Sequence, residues 1–282
     1  MMAKRLKSLF KVMAAVCVGL VIGYLGYNDF VRLNKVVPDY EELIPPENGS
    51  SHFLVSKQKK IIERSRSSAV RVLSLSGETG GIASSSGTYL TMYDHYYIIT
   101  TQHGVVGECD TTKIIADDIS YDCLRFIEIN EEIDYALIEI EKIIDREPIK
   151  IPEMVARTGK EWRSALTILA KTFYTGFPNG IGPLTVDGKI MGHSREGYVY
   201  MNSYAWSGSS GSGVFSHNGD YIGYVLAIDV GYEFGGPNIL ENVVLVVPAY
   251  KINWSAAIDF LDISVEQQDT SNYSNIDTNS EN

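Results

Sequence analysis

Cysteine is scarce in this chain, with three in 282 residues, at Cys17, Cys109 and Cys123. None sits in a CxxC motif or a Cys/His cluster, so no zinc site is expected, and no other metal or cofactor is called for. Cys17 lies in an apolar leader. That leaves Cys109 and Cys123 as one possible pair, to be joined if the body is exported to an oxidising compartment.

Basic charge is also short, at 24 Lys and Arg against 35 Asp and Glu, a net −11. Four of the basic residues, Lys4, Arg5, Lys7 and Lys11, precede the first acidic one. Setting those four aside leaves 20 against 35, or −15 for the remainder. A body this acidic repels phosphate backbones, and no basic stripe with interleaved aromatics is present, which argues against nucleic-acid binding.

Long apolar runs are missing apart from one. Val12 to Tyr27 is uncharged and mostly apolar; as a helix it would span roughly 24 Å, a little under the ~30 Å hydrocarbon core. Lys11 can snorkel at one end, and Phe30 and Val31 extend the apolar stretch at the other. No small-x-small cleavage site follows convincingly. Met13-Ala14-Ala15-Val16-Cys17 is a poor lipoprotein signal, because Val16 stands where a small residue is wanted. Residues 1–31 are therefore expected to be a signal anchor that meets the membrane through residues 12–27. A cleaved signal peptide and a buried helix are the alternatives. The basic start stays cytoplasmic by the positive-inside rule, which puts the body outside the cytoplasm, anchored or, after cleavage, secreted.

Residues 32–52 carry Pro38, Pro45, Pro46 and Asn48-Gly49-Ser50 and read as a linker. Phe53, Leu54, Lys57, Lys60, Ile61 and Arg64 recur at helical spacing, so the segment to residue 64 is expected to end in a short amphipathic helix. Gln267 to Asn282 is polar with no apolar face, and residues 263–282 are expected to be a disordered tail.

What the chain does have is strand composition: 18 Tyr, many Val and Ile, and 25 Gly as punctuation. Short apolar or alternating runs begin at Ala69–Leu75 and recur to Asn242–Val247, with a Pro/Gly-containing break before Thr167. Only Trp254–Leu261 near the end reads as a helix. The pattern implies an all-β body, two barrels or a sandwich.

Three segments carry chemistry. Trp206-Ser207-Gly208-Ser209-Ser210-Gly211-Ser212-Gly213 runs straight into the apolar Val214-Phe215. A Gly-x-Ser-Gly core in such a loop can present Ser210 as a nucleophile, and Gly208 frees the backbone for a tight turn. The N–H groups of Gly208 and Ser210 could then form an oxyanion hole. The bland reading is a flexible Ser/Gly loop. In Tyr97-Ile98-Ile99-Thr100-Thr101-Gln102-His103, a histidine stands just past an apolar strand, where a general base for serine belongs, although a lone histidine is more often structural. Asp134 directly precedes the strand-like Tyr135–Ile140. It is either a turn former or a carboxylate that holds an imidazole tautomer; Glu131 and Glu132 are rivals placed less closely.

Taken together in the order His, Asp, Ser, these segments resemble the trypsin-like serine peptidase superfamily, in spacing most like bacterial HtrA-type domains. Further likenesses lie in Gly87-Thr88-Tyr89-Leu90 before the histidine strand and in Gly176-Phe177-Pro178, similar to the turn that opens the second barrel. The Asn218-Gly219 hairpin after the nucleophile and Val243–Pro248 before a closing helix add to them. The resemblance covers about Ser65 to Leu261. It implies two six-stranded antiparallel barrels with a C-terminal helix over 65–262. It also implies a serine endopeptidase with His103, Asp134 and Ser210 as the triad, acting on protein or peptide substrates. Ser207 replaces a frequent proline and Ser212 a usual glycine, and no PDZ-like domain is expected after Leu261.

By the same resemblance, the pocket on the acyl side of the cut is lined by Tyr204, Val225, Leu226 and Ala227. With Tyr204 where an aspartate would select basic residues, small or medium aliphatic side chains are expected. His52, His95, His193 and His217 are expected to be structural surface residues. Two rival readings remain, a catalytically silent protease-fold binding protein and a β-rich adhesion or ligand-binding domain. The sequence leaves the oligomeric state open.

Overall fold

The computed structural model describes residues 52–233 and 236–257. Two compact units divide the chain, Met1–Val55 and Ser56–Asn282. The first lies outside the described residues apart from the opening of a helix, and the membrane helix expected over 12–27 lies outside them with it. So does the polar tail expected over 263–282. Among the described residues no helix is long and apolar enough to cross a membrane.

Helix α1 (His52–Ser68) follows the expected amphipathic segment. It packs as part of the body, against strands that come more than a hundred residues later. Ser65 Oγ and Thr175 Oγ1 lie 2.8 Å apart, and Arg66 Nη1 donates to the Pro183 carbonyl at 2.7 Å. Gly219 packs against this helix at φ 89°, with a Cβ position 3.0 Å from the Ile61 side chain.

The first barrel is built from β1 (Ala69–Leu75), β2 (Ile82–Met92), β3 (His95–Thr100), β4 (Thr112–Ala116), β5 (Ile119–Asn130) and β6 (Tyr135–Ile140). Their order is β1-β4-β5-β6-β3-β2, closed by the β1–β2 pairing, with the two-residue β7 (Ile149–Lys150) added parallel to β2. The second barrel closes as β10-β13-β12-β11-β8-β9. Its strands are β8 (Lys171–Gly176), β9 (Leu184–His193), β10 (Val199–Asn202), β11 (Gly213–Ser216), β12 (Tyr221–Glu233) and β13 (Gly236–Pro248).

Strand β6 shows why the barrels pack together. Ala136, Ile138 and Ile140 point into the first barrel's core. Tyr135 and Leu137, on the other face, join a cluster that continues through Tyr174, Val214 and Tyr224 of the second. Every residue of β6 is buried, and each fully buried Leu or Ile contributes about 1.5–3 kcal/mol. The one charge, Glu139, is met by His95 Nδ1 at 3.0 Å and by the Arg125 guanidinium.

The segment between the barrels corrects the expectation that within the body only Trp254–Leu261 is helical. Helices α2 (Glu153–Thr158) and α3 (Lys160–Ala165) lie there. Their residues alternate too irregularly to announce a six-residue helix, and Gly159, at φ 61°, caps one and starts the other. They bury Val155 and Trp162, whose indole lies 5.6 Å from that of Trp254. The second barrel opens on β8, and Gly176-Phe177-Pro178 carries the chain out of that strand. At the end of the described chain, 255–257 are helical; the rest of the closing helix expected to Leu261 lies outside the described residues.

Candidate active site

β3 ends at Thr100, and a short 3₁₀ turn over Gln102–Gly104 presents His103 at the surface. Gly104 is pressed against Ser85, where any Cβ would meet the hydroxyl at 2.5 Å. On the neighbouring strand, where Thr100 of β3 pairs with Ala136, β6 begins at Tyr135, and the residue before it, Asp134, turns into the left-handed region at φ 54°. That conformation costs an L-residue roughly 1–2 kcal/mol, and aspartate tolerates it better than most. It delivers both carboxylate oxygens to one residue. Oδ2 lies 2.6 Å from His103 Nδ1, and Oδ1 accepts the His103 backbone N–H at 2.8 Å.

An ionised carboxylate only accepts hydrogen bonds, so His103 carries its proton on Nδ1 and leaves Nε2 free to accept one. The hydrogen bond to Asp134 raises the His103 pKa above its ordinary 6.5, partly opposed by burial of the ring and helped by the aspartate's charge.

The loop around Ser210 belongs to the second barrel but is held from both. Ser209 N–H donates to Trp206 O at 2.9 Å and Ser212 N–H to Ser209 O at 3.0 Å, which folds the loop tightly around Ser210. Gly211 N–H donates to Val225 O at 2.8 Å, and Val225 N–H returns a bond to Ser212 O at 2.9 Å. From the first barrel, Ser86 N–H donates to Ser210 O at 2.9 Å. Ser86 Oγ donates to Gly208 O at 2.7 Å and accepts the Phe177 N–H at 2.8 Å.

Glycine is required at two points of this loop. Gly208 sits at φ 86° with a Cβ position 2.9 Å from the Phe177 carbonyl, and Gly211 sits at φ 85° with one 2.0 Å from the Ser86 carbonyl. Ser212, where the resemblance expects glycine, is accommodated because the facing residue is Gly176, where a Cβ would fall 1.8 Å from the Ser212 hydroxyl. Among the described residues, neither the Gly208 N–H nor the Ser210 N–H donates to a protein acceptor. Two unspent backbone donors two residues apart, one of them the serine's own, are the kind of group that can receive a developing oxyanion.

The structure thus brings His103 and Asp134 into contact and places Ser210 in a braced loop with Gly208. The residues expected to line a pocket are spread differently. Tyr204 is exposed and stacks on Trp206, with ring centroids 6.4 Å apart, and its carbonyl accepts the Tyr174 hydroxyl. Val225 buries its side chain in the core and offers only its backbone to the site. Leu226 is half-buried against the same core, and Ala227 is exposed. Two clefts of about 730 and 510 Å³ flank helix α1 and share Lys171 and His217; none of the triad candidates lines either. His95 and His193 serve the framework, the latter through Leu166 O at 2.9 Å. The side chain of His52 lies outside the described residues. No group of three or more His, Cys, Asp or Glu side chains among the described residues is placed to hold a metal.

Ser86 and Tyr224 were not singled out in the sequence. Nothing distinguishes Ser86 from Ser84 and Ser85 beside it. Tyr224 does leave a trace, since a tyrosine in the apolar run Tyr221-Ile222-Gly223-Tyr224-Val225 needs a buried acceptor for its hydroxyl.

No family model and no curated protein matches the sequence. Among solved structures, the chain is similar to the active form of the Rv3671c protease from M. tuberculosis. The identity is 16% and the TM-score 0.51, covering 73% of this chain and 89% of that one. It is also similar to the serine endoprotease from Yersinia pestis, at 19% identity and a TM-score of 0.54, covering 76% of this chain and 69% of that one. The chain therefore has the double-barrel fold of trypsin-like serine proteases.

Proposed function

We propose that this chain is a serine endopeptidase in which Ser210 attacks a peptide carbonyl while His103 Nε2 takes the hydroxyl proton. The new Oγ–C bond forms as the carbonyl opens to an oxyanion facing the Gly208 and Ser210 N–H groups. Collapse breaks the C–N bond, His103 returns the proton to the departing amine, and water repeats the sequence to free the acid. Asp134 keeps the imidazole in the tautomer that can accept. The observation that carries this reading is the paired contact of His103 with both oxygens of Asp134, at 2.6 and 2.8 Å.

A fluorophosphonate probe applied to the full chain, beside Ser210→Ala and His103→Ala, tests it. Labelling of the wild type alone is expected. A folded wild type that takes no label would sink the proposal. It would leave the second reading, a protease-fold binding protein. One observation favours that alternative: among the described residues, Ser210 Oγ makes no hydrogen bond to His103. Catalytic contacts of this kind often tighten only with substrate bound.

Tyr204, at the position where an aspartate would pair a basic side chain, supports substrates with small or medium apolar residues on the acyl side. Ala- and Val-ending esters are expected to outrun Arg-ending ones, and the reverse order overturns this. We further place the catalytic body outside the cytoplasm, anchored through residues 12–27 or secreted after cleavage. The support is the Cys109–Cys123 disulfide, with Cα atoms 5.3 Å apart, a bond that persists in oxidising compartments. Cell fractionation with protease accessibility decides between the anchored, secreted and cytoplasmic outcomes.

A further inference from the structure

Adjacent residues of β12 reach opposite halves of the candidate site. Val225 holds the nucleophile loop through Gly211 and Ser212, with bonds of 2.8 and 2.9 Å. Its neighbour Tyr224 points the other way. The Tyr224 hydroxyl donates toward the Ile133 carbonyl at 2.9 Å and the Asp134 carbonyl at 3.3 Å. The same short segment is approached twice more, by Tyr198 Oη at 3.4 Å from the Glu132 carbonyl and by Asn253 N–H, which donates to Tyr135 Oη at 3.1 Å. Tyr224, Tyr198 and Asn253 thus make four hydrogen bonds to residues 132–135 of the first barrel.

We infer that Tyr224 is a positioning residue that fixes Asp134, and through it His103, in register with Ser210. This rests on the serine-peptidase reading. The physical case has three parts. Asp134 sits at φ 54°, a conformation that costs an L-residue energy, so hydrogen bonds to this turn from outside help to hold it. The Tyr224 ring is fully buried, so its hydroxyl has no water to turn to and the bond to the turn is not exchanged for solvent. Burial also pushes its pKa well up, which keeps the hydroxyl protonated and donating. Through Val225 the same backbone position sets the nucleophile loop, so a shift of β12 moves both halves together. Without the hydroxyl, they are joined at this place only by ring packing.

The test is Tyr224→Phe in the full chain, which removes one oxygen and keeps the ring. The control is Tyr221→Phe, three residues earlier in β12, whose buried hydroxyl has no partner. The first readout is the titration of His103 followed by NMR on labelled histidine, which needs no turnover. A merely structural loss would leave it unmoved. Tyr224→Phe is expected to lower the His103 midpoint by about half a unit or more, as the Asp134 contact loosens. Tyr221→Phe is expected to leave it in place.

The second readout is fluorophosphonate labelling. The maximal rate is expected to fall about tenfold with the half-saturating concentration unchanged, because misplacement costs the reaction rather than binding. 4-Aminophenylalanine at 224, which restores a donor, is expected to recover both. An unchanged titration in folded Tyr224→Phe overturns the inference. If that variant does not fold, Tyr198→Phe carries the same test, with a smaller shift in the same direction, and no shift there overturns it. A wild type that takes no label would refute the peptidase reading, while the titration would still decide whether Tyr224 sets the His103–Asp134 contact.

Discussion

Ser86 N–H donates to the carbonyl of Ser210 at 2.9 Å, so a strand of the first barrel that carries no candidate catalytic group holds the residue of the second that does. The hydroxyl of the same Ser86 donates to Gly208 O and accepts from Phe177 N–H. Ser86→Ala keeps the backbone bond and orphans the other two groups. The Gly208–Ser209 peptide, beside the proposed oxyanion donors, then keeps its Ser209 N–H bond to Trp206 O but loses the partner of its carbonyl. A stability loss of about 1–2 kcal/mol is expected, with fluorophosphonate labelling slowed about tenfold or more. Thermal melting and labelling kinetics read both. A folded variant that labels at the wild-type rate would show that the loop keeps its shape without the Ser86 hydroxyl.

The His103–Asp134 contact fixes the direction of the pH dependence. Because the aspartate hydrogen bond raises the histidine's pKa, the neutral imidazole required of a base appears only above the ordinary 6.5, and the acid limb of activity should fall there. Stability runs the other way. The contact stabilises fully below the unfolded value of about 6.5 and fades as pH rises through the higher folded value. With the His103 side chain 49% exposed, solvent screening keeps that contribution small. Asp134→Asn should move the acid limb to lower pH and cut the maximal rate by about 10⁴, since an amide permits the wrong tautomer. An acid limb that stays in place in Asp134→Asn would mean that Asp134 does not govern His103.

How much of this was legible beforehand depended on the range of the interaction. Strand runs such as Tyr135–Ile140 and the Gly-x-Ser-Gly loop announce themselves within a few residues. The order of His103, Asp134 and Ser210 is a feature of the chain as well. The braces are not. Ser86 and Ser210 are joined by a backbone bond across 124 positions, and no periodicity marks either partner. Helix α1 looked like a lead-in because its apolar stripe says that it docks, not on what. β7 and the helices α2 and α3 are too short for a repeat to register. The pocket residues could be proposed by position, but the burial of Val225 and the exposure of Tyr204 are decided by the path of β12 and the loop before Gly208.

The disulfide between Cys109 and Cys123, 14 positions apart, closes a loop that starts just after His103. A loop of that length is worth about 3 kcal/mol through the entropy removed from the unfolded chain. In a domain of about 200 residues that corresponds to roughly 6–12 °C in Tm. Replacing both cysteines by serine should lower Tm by such an amount, and dithiothreitol should reproduce the loss in the wild type but not in the variant. Equal sensitivity of both proteins to reductant would mean that the bond contributes nothing.

Arg146 makes the last case, in which one side chain does two jobs that differ in worth. Its guanidinium is nearly buried, 7% exposed, and forks onto Asp117 with two bonds of 2.7 Å. Its Nη1 also donates to the carbonyls of Arg66, Ser67 and Ala69 at 3.1, 3.2 and 2.8 Å, where helix α1 gives way to β1. Asp117, 66% exposed, can turn to water if the arginine is lost; carbonyls packed at the end of a docked helix are less able to. Arg146→Met is therefore expected to cost about 2–4 kcal/mol, and Asp117→Asn less than about 1 kcal/mol. The arginine bond lowers the Asp117 pKa. Its small contribution is thus present above the unfolded value of about 3.9 and lost as pH falls through the lower folded value. Urea denaturation of both variants near neutral pH separates the two roles: equal losses would assign the stabilisation to the ion pair, whereas the expected inequality assigns it to the grip on the helix end.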